Sequence, residues 1–548
     1  MLINRKLIIC LVVLAVAVNA IGLFEPLLRN DDPVLYANIA KHIVLSGDWI
    51  DLISGGKDWL DKPHFPFWMS ALSFKLFGIS SFAYIFPGFL FHLLGVYYTY
   101  RLAKHLYNSE VALISVLLYV TSLHLLFSAI DIRAEAYLLG QIMPACYYWL
   151  CYDRNSNTKA LLLGCLFTAM AMMTKGLFVV ITIFSGVFGS WLYTKQFKRV
   201  YAPKWLLAYA LCLLFILPEL VCLYLQFDLH PEKTVFGHQH ISGLQWYFWD
   251  SQFGRFFNNG PIVNTQGNPL FFVHTFLWAF LPWSMIFILA TWRQLRDFRL
   301  RNYSQNARVV YLLASFWVTF IMFSATRFQL DHYTNIIIPF ASIVCAVYLQ
   351  DNLQMLRKLA SFQRGLSLFM LVMTAGLFVY LFRLTPPVGG SIVALILIIL
   401  ILMKPKLSYL EQCLVYPSLA ISLIFGLVLS VNYYICRSYD VGYNIAQRVN
   451  SLPPAPLYDL DYSSTPLEFH LKYSYWRVDD VAQLPKTGNY YVFLKQQDWL
   501  NDSKKLSKTQ YTPVIKFCGA TIDKVLRAYS DYAKLKSQLT CYTVLKHE

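Results

Sequence analysis

Between residues 30 and 69 the chain reads Asn-Asp-Asp-Pro-Val-Leu-Tyr through Asp-Lys-Pro-His-Phe-Pro-Phe-Trp-Met, with more charge than a connector between apolar segments requires. It holds the pair Asp31 and Asp32, the run Ser46-Gly47-Asp48-Trp49 and the triplet Asp61-Lys62-Pro63. A second carboxylate pair, Asp131 and Glu135, stands at the mouth of a later apolar run. A carboxylate near a lipid boundary is costly unless it is paired or used, and a well-placed one can take a proton from an attacking hydroxyl or amine. Asp31, Asp32, Asp131 and Glu135 are therefore the candidate catalytic residues. Asp32 also has a structural explanation, as the cap of a helix with Pro33 at its first position. That explanation does not cover Asp31.

The complementary half is cationic. Lys62, Lys175, Arg255 and Arg327 stand at loop positions that membrane topology should deplete of Lys and Arg. Each alone reads as a snorkelling side chain or the partner of a local acid, but four together suit a phosphate, whose negative charge grows as it departs. The aromatic residues Tyr36, Trp59, Trp68, Trp246, Tyr247 and Tyr333 either stack on a sugar or belong to an interfacial belt, and the belt is the default.

These residues need elements to hold them, and composition says which kind. With 57% apolar, 17% aromatic and 14% charged residues over 548 positions, the chain is a polytopic membrane protein. Thirteen apolar runs are long enough to be helical spans, near residues 7 to 24, 82 to 101, 111 to 128, 136 to 151, 159 to 174, 176 to 194, 205 to 226, 270 to 291, 309 to 325, 334 to 350, 365 to 382, 389 to 403 and 414 to 433. If Arg5 and Lys6 lie inside, every second loop should be basic. They are: Arg101 and Lys104, Arg154 and Lys159, Lys195 to Lys204, Arg293 to Arg308, Arg357 to Arg364, and Lys404 with Lys406. The net charge of +16 is thus explained by topology, and nucleic acid is not implied. Residues 1 to 24 also fit a cleavable signal peptide, which would leave twelve spans in the same orientation. Most of the eleven cysteines lie inside apolar runs, and no metal-binding spacing appears. Cys518 and Cys541 fall in the outer C-terminal region, where spacing alone does not pair them.

This topology sends residues 25–81, 129–135, Lys175, 227–269 and 326–333 to one outer side, together with everything after Tyr434. The first loop is expected to contain two interfacial helices, Pro33 to Leu45 and Phe67 to Phe77. The loop 227–269, with Trp246, Trp249 and Phe256-Phe257, should lie at headgroup level. The chain divides into a transmembrane catalytic domain, 1–434, and a C-terminal soluble α/β domain, 435–548. The latter should have a helix from Asp440 to Asn450, a helix opening at Ser464-Thr465-Pro466, and strands at Leu457 to Tyr462, Tyr490 to Lys495, Pro513 to Phe517 and Cys541 to Leu545.

The residues resemble the lipid-phosphate-sugar-dependent membrane glycosyltransferases of the protein O-mannosyltransferase and aminoarabinose lipid A transferase type, over about residues 25 to 345. Asp32-Pro-Val-Leu-Tyr36-Ala-Asn-Ile resembles that family's Asp-Glu-x-x-Tyr-Ala-x-Ile opening, with Ser46-Gly47-Asp48-Trp49 following at the family's distance. Asp61-Lys62-Pro63 is similar to its Glu/Asp-Lys-Pro element, whose lysine faces the donor phosphate. Arg133-Ala-Glu135-Ala-Tyr-Leu is similar to its Arg-Pro-Asp-x-x-Leu element, Thr174-Lys175-Gly176 to its Thr-Lys-Gly-Pro turn, and Phe323-Ser324 through Tyr333 to its Phe-Ser-x-x-Lys-x-x-x-Tyr segment. The family's second acid is Pro33 here if Asp32 is the base, or Asp32 itself if Asp31 is, and the conserved gap to Tyr36 favours Asp32. Leu35 stands where the aminoarabinose branch often has Arg, Glu135 replaces an Asp, and Arg327 stands for a Lys.

The resemblance implies an all-α membrane protein of the C-type glycosyltransferase (GT-C) fold, inverting, moving one sugar from a polyprenyl phosphate to an acceptor on the periplasmic face of a bacterial inner membrane. Asp32 or Asp31 would be the base, Glu135 or Asp131 would orient base or acceptor, and Lys62, Lys175, Arg255 and Arg327 would hold the phosphate. Tyr36, His64, His332 and Tyr333 would line the substrate site, and neither metal nor cofactor is needed. Lipid A or another lipopolysaccharide component is the first acceptor, protein Ser/Thr the second. A lipid-linked sugar transporter would use the same cationic groove without a base, and a purely structural membrane protein would use neither. Sugar identity, polyprenyl length and oligomeric state are not legible.

Overall fold

The computed structural model describes residues 4–28, 31–259, 261–263, 267–300, 303–381, 407–460, 464–501, 506, 507, 509–520, 524, 525 and 531–547. Its bundle is built from α1 (Arg5–Ile21), α4 (Ser81–Leu106), α5 (Ser109–Val120), α6 (Leu123–Ser128), α7 (Ala134–Asn155), α8 (Thr158–Lys175), α9 (Val179–Tyr193), α10 (Pro203–Phe215), α11 (Leu217–Leu223), α12 (Phe271–Ala279), α13 (Ser284–Arg296), α14 (Tyr303–Ala325), α15 (Ile338–Asp351), α16 (Leu356–Leu381) and α17 (Tyr409–Val431). Two further helices, α2 (Asp32–Ser46) and α3 (Phe65–Phe77), form the first loop. The run 389–403, with Lys404 and Lys406, lies outside the described residues; every other apolar run coincides with one of these helices or a consecutive pair. Among the described residues five helices are long and apolar enough to cross a membrane, or seven if each of two bent pairs counts once.

One of those pairs departs from expectation. Residues 270–291 read as a single span, but α12 and α13 meet at 115°. Pro282 stands in the break, where its missing N–H and its constraint on Leu281 end the helix. The other pair, α10 and the helical stretch Leu217–Asp228, bends by 41° beside Pro218.

Side-chain caps fix where several helices begin. Ser80 accepts from the Ala83 N–H, Asn108 from Glu110 and Val111, Asn157 from Lys159 and Ala160, and Ser408 forms a reciprocal box with Glu411. Asp31, not Asp32, caps α2: its carboxylate accepts from the Asp32 N–H at 2.7 Å, and Pro33 follows in the first turn. The capping role foreseen for Asp32 therefore belongs to its neighbour.

After α17 the chain forms a small sheet domain. Besides the hairpin β1 (Ile53–Ser54) and β2 (Lys57–Asp58) in the first loop, the strands are β3 (Leu457–Asp459), β4 (Tyr475–Arg477), β5 (Tyr491–Lys495), β6 (Tyr511–Gly519) and β7 (Thr540–His547). The five C-terminal strands run in the order β4-β3-β5-β7-β6, with β3 parallel to β4 and β5, and β7 antiparallel to β5 and β6. The central strand β5 is covered on both faces: Tyr491 and Phe493 enter one apolar cluster, Val492 and Leu494 the other. Helices α18 (Val441–Val449) and α19 (Thr465–His470) pack beside it. Cys518 and Cys541 face each other across β6 and β7 and are disulfide-bonded.

Candidate active site

Loops that the charge pattern assigns to one side converge here into three linked groups. In the first, the Arg133 guanidinium gathers three carboxylates. Its Nη2 donates to Asp31 Oδ2 at 2.5 Å, its Nη1 to Asp32 Oδ2 at 3.1 Å, and its Nε to Asp131 Oδ2 at 3.1 Å. Asp31 thus spends one oxygen on its cap and the other on Arg133, while Asp32 is engaged through Oδ2 and is 43% exposed at its side chain. Burial raises the Asp32 carboxyl above its usual range, Lys62 and Arg133 oppose that, and Asp31 and Asp61 add to it.

The second group is Asp61 with two cations. Lys62 Nζ lies 2.5 Å from Asp61 Oδ2, and Arg255 donates to Asp61 Oδ1 and, at 3.2 Å, to its carbonyl. Burial alone would raise Asp61, but Arg255 and then Lys62 hold it below its usual value. Lys62 is pulled below its usual value by burial and by Arg255, against the attraction of Asp61. The Arg255 Nε is buried with no protein partner among the described residues. In the third group Lys175 contacts Glu135 and stands 3.8 Å from the centre of the Tyr333 ring, and His332 Nε2 is 3.8 Å from the other Glu135 oxygen.

Local backbone explains the placement. Lys175 is the last residue of α8, and Gly176 follows with φ +93°. A Cβ there would be strained, and it would also strike the Gln252 side chain, which packs against the turn. Gln252 and Arg255 come from the π-helical stretch Trp246–Gly254 and the turn after it, a widened helix of the kind found at functional sites. Thr326 Oγ1 bonds to the Arg255 carbonyl and the Arg327 N–H to the Phe256 carbonyl, so residues 326–327 strap this turn in place.

Lys62, Lys175 and Arg255 stand against Asp61 and Glu135, and a third carboxylate, Glu219, is paired with His64. These side chains border a small pocket lined by Asp61, Lys62, Lys175, Glu219, Ser251, Gln252 and Arg255 among others. Lys175, Ser251, Gln252 and Arg255 also form the head of a groove whose remaining walls are chiefly apolar, including Phe178, Val179, Met322, Phe323 and Ile336. An anionic head on an apolar tail matches this arrangement, and the unpartnered Arg255 Nε gives the head a donor.

The structure brings together Asp31, Asp32, Asp131, Glu135, Lys62, Lys175, Arg255, His332 and Tyr333. Tyr36, one turn beyond Asp32, is buried edge-on to Trp59 and Phe67 and lies within electrostatic reach of Asp32 and Asp61. His64 stands behind the site instead of lining it. It is fully buried, with Nδ1 3.0 Å from Glu219 Oε1 and Nε2 2.8 Å from the Ile50 carbonyl. Arg327 contributes backbone bonds while its side chain is exposed and enters none of these ion pairs. The expectation of an aromatic belt also fails for Tyr36, Trp246, Tyr247 and Tyr333, each under 10% exposed, whereas Trp249 is 61% exposed. Arg133 and Asp61 were visible only inside motifs. Their signal was position, with Arg133 two residues from both Asp131 and Glu135.

Residues 61–222 match the model of the dolichyl-phosphate-mannose-protein mannosyltransferase family. The undecaprenyl phosphate-alpha-4-amino-4-deoxy-L-arabinose arabinosyl transferase 2 of Proteus mirabilis is 26% identical over 317 residues, which are 56% of this chain and 53% of that relative. The corresponding transferase of Edwardsiella ictaluri is 32% identical over 176 residues, 30% and 31% of the two chains. The chain spans about half the length of the first of these relatives and less of the second. In three dimensions, ArnT from Cupriavidus metallidurans bound to undecaprenyl phosphate aligns over 99% of this chain and 98% of its own, with a TM-score of 0.73 at 17% identity. Its apo form gives 0.67. The fold is of the ArnT type, and over part of its length the sequence is similar to the dolichyl-phosphate-mannose-protein mannosyltransferase family and to aminoarabinosyl transferases.

Proposed function

We propose that the chain transfers a single sugar from a polyprenyl phosphate to a lipid acceptor at the periplasmic face of a bacterial inner membrane, with inversion. The observation that carries this is the pocket of Lys62, Lys175 and Arg255 opening into an apolar groove beside the Asp32–Arg133 cluster. Asp32 takes the proton from the acceptor as it attacks the anomeric carbon. Asp31 and Asp131, through Arg133, hold Asp32 in place. Lys62, Arg255 and Lys175 neutralise the phosphate as its bond to the sugar breaks. Glu135 tethers Lys175, Tyr333 covers it, and Tyr36 and His332 border the sugar.

A lipid acceptor is favoured by a second, chiefly apolar cavity near the start of α2, walled by Leu27, Val34, Ile130, Val428 and Leu429 and also lined by Asp131. The named activity of the Proteus mirabilis relative and the undecaprenyl phosphate bound by the Cupriavidus metallidurans protein support the same donor class. Thirteen spans, a transmembrane domain over 1–434 and a C-terminal periplasmic domain over 435–548 complete the proposal, and the Cys518–Cys541 disulfide suits that compartment.

The test is mass spectrometry of lipid A and of periplasmic proteins from cells expressing wild type or Asp32→Asn at matched levels. A single-sugar increment on lipid A with wild type alone is expected. The same increment on protein instead would move the acceptor to Ser or Thr. Equal lipid-linked sugar export by both chains, with neither fraction modified, would favour transport.

A further inference from the structure

Lys41 lies nine residues into α2, beyond every motif that the proposed reaction uses. Its ammonium donates to the carbonyls of Glu468 at 2.7 Å, Leu471 at 2.7 Å and Phe469 at 3.2 Å. These are carbonyls at the C-terminal end of α19, the end of a helix that lacks internal partners and carries the negative pole of its dipole. All three ammonium protons are therefore used on one helix end. Burial lowers the Lys41 pKa to about 8 against the pull of Glu468, so the charge is held there at a cost.

The clamp has other points. Asn38, one turn back on the same face of α2, donates to the Thr465 carbonyl at 3.0 Å. His470 Nε2 bonds to the Leu27 carbonyl at 2.7 Å, just before α2 begins, and the Phe469 ring packs 6.1 Å from Phe74 of α3. α19 is in turn fixed to its own domain: Ser464 caps it, and α18 approaches so closely that a Cβ on Gly442 would meet Ser464 Oγ and the Leu467 nitrogen. A stiff connection thus runs from the C-terminal sheet through α19 to α2, whose other end carries Asp31 and Asp32.

We propose that Lys41 is a positioning residue. By capping α19 it fixes the rotation and depth of α2, and so the place of Asp32 relative to the cationic pocket. The inference rests on the proposed transfer reaction but concerns a residue that touches no substrate. Neutral packing would fill the space at Lys41 as well; it would not set the angle of α2, because only directional bonds to three carbonyls do that.

The test uses full-length protein with Lys41→Met, Lys41→Arg and His470→Ala, the last opening the clamp at its other end without touching Lys41. Three quantities are read: single-sugar transfer in membranes, undecaprenyl phosphate binding by purified protein, and amide hydrogen exchange over residues 31–46. Lys41→Met should slow transfer by about tenfold or more, as misplacement of a reacting group does, with undecaprenyl phosphate affinity unchanged and faster exchange in the first turns of α2. Lys41→Arg should restore part of the rate, and His470→Ala should shift rate and exchange in the same direction as Lys41→Met. Wild-type transfer and exchange in Lys41→Met would overturn the proposal, as would equal loss of donor binding, which marks general damage. If wild type itself transfers nothing, the reaction is wrong, and unchanged α2 exchange in the variants would separately refute the clamp.

Discussion

Arg133 satisfies three carboxylates at once, and removing it changes their chemistry before it changes their positions. Asp31, Asp32 and Asp131 each lie within 3.1 Å of its nitrogens. Without that cation the protonated form of Asp32 is favoured by its neighbours' charge, so its pKa rises and the deprotonated base appears only at higher pH. For Arg133→Met the acid limb of the pH–rate profile should therefore move up by about one unit, with Arg133→Lys between. An unshifted limb with a lower plateau would show that Arg133 acts only on geometry. At this scale the sequence exposes carboxylates well, because an acid at a lipid boundary has few structural excuses. It exposes cations poorly: Arg133 is visible only inside a motif, while Arg327, equally placed by motif, turns its side chain outward. Whether a charge faces inward is decided by the partner loop, which no local spacing reports.

Helices were legible where their caps and apolar runs are local: α2 and α19 begin within two residues of where capping and proline rules put them, and α3 and α18 within two residues of where composition and pattern do. The turn between α12 and α13, the π-helical stretch Trp246–Gly254 and the short, largely exposed strand β4 were not, since each depends on what packs beside it. The same dependence ties the first loop to α11. His64, at the start of α3, and Glu219, in the first turn of α11, form a fully buried pair, and Glu219 also accepts from the His64 backbone N–H at 3.0 Å. Burial would lower the His64 pKa, but Glu219 raises it above its usual value. Removing one partner of such a pair leaves the other uncompensated. Glu219→Ala should cost about 3 kcal/mol, read as a lower unfolding temperature in detergent. The double variant with His64→Ala should recover part of the loss, and simple additivity would show that the two residues are not coupled.

At the scale of the molecule, two bodies share one interface, and the C-terminal one has its own pH response. Asp440 caps α18 by accepting from the Tyr443 N–H at 2.6 Å, and burial pushes its carboxyl up to about 7 from 3.8. A carboxyl whose folded pKa is raised gives its full contribution below the unfolded value and loses it as pH rises through the folded one. The sheet domain should therefore lose stability from about pH 4 through about pH 7, and Asp440→Asn, which keeps an acceptor without the charge, should flatten that slope in thermal unfolding. The sheet's strand order was not legible in advance, because β3 and β5 pair across β4, which adds outside them. Directly opposite positions in that sheet hold Cys518 and Cys541. Oxidising compartments are where such bonds persist, so under the proposed orientation each copy keeps a chemical memory of the side on which its last hundred residues folded: a misinserted chain would carry two thiols where a correctly threaded one carries none.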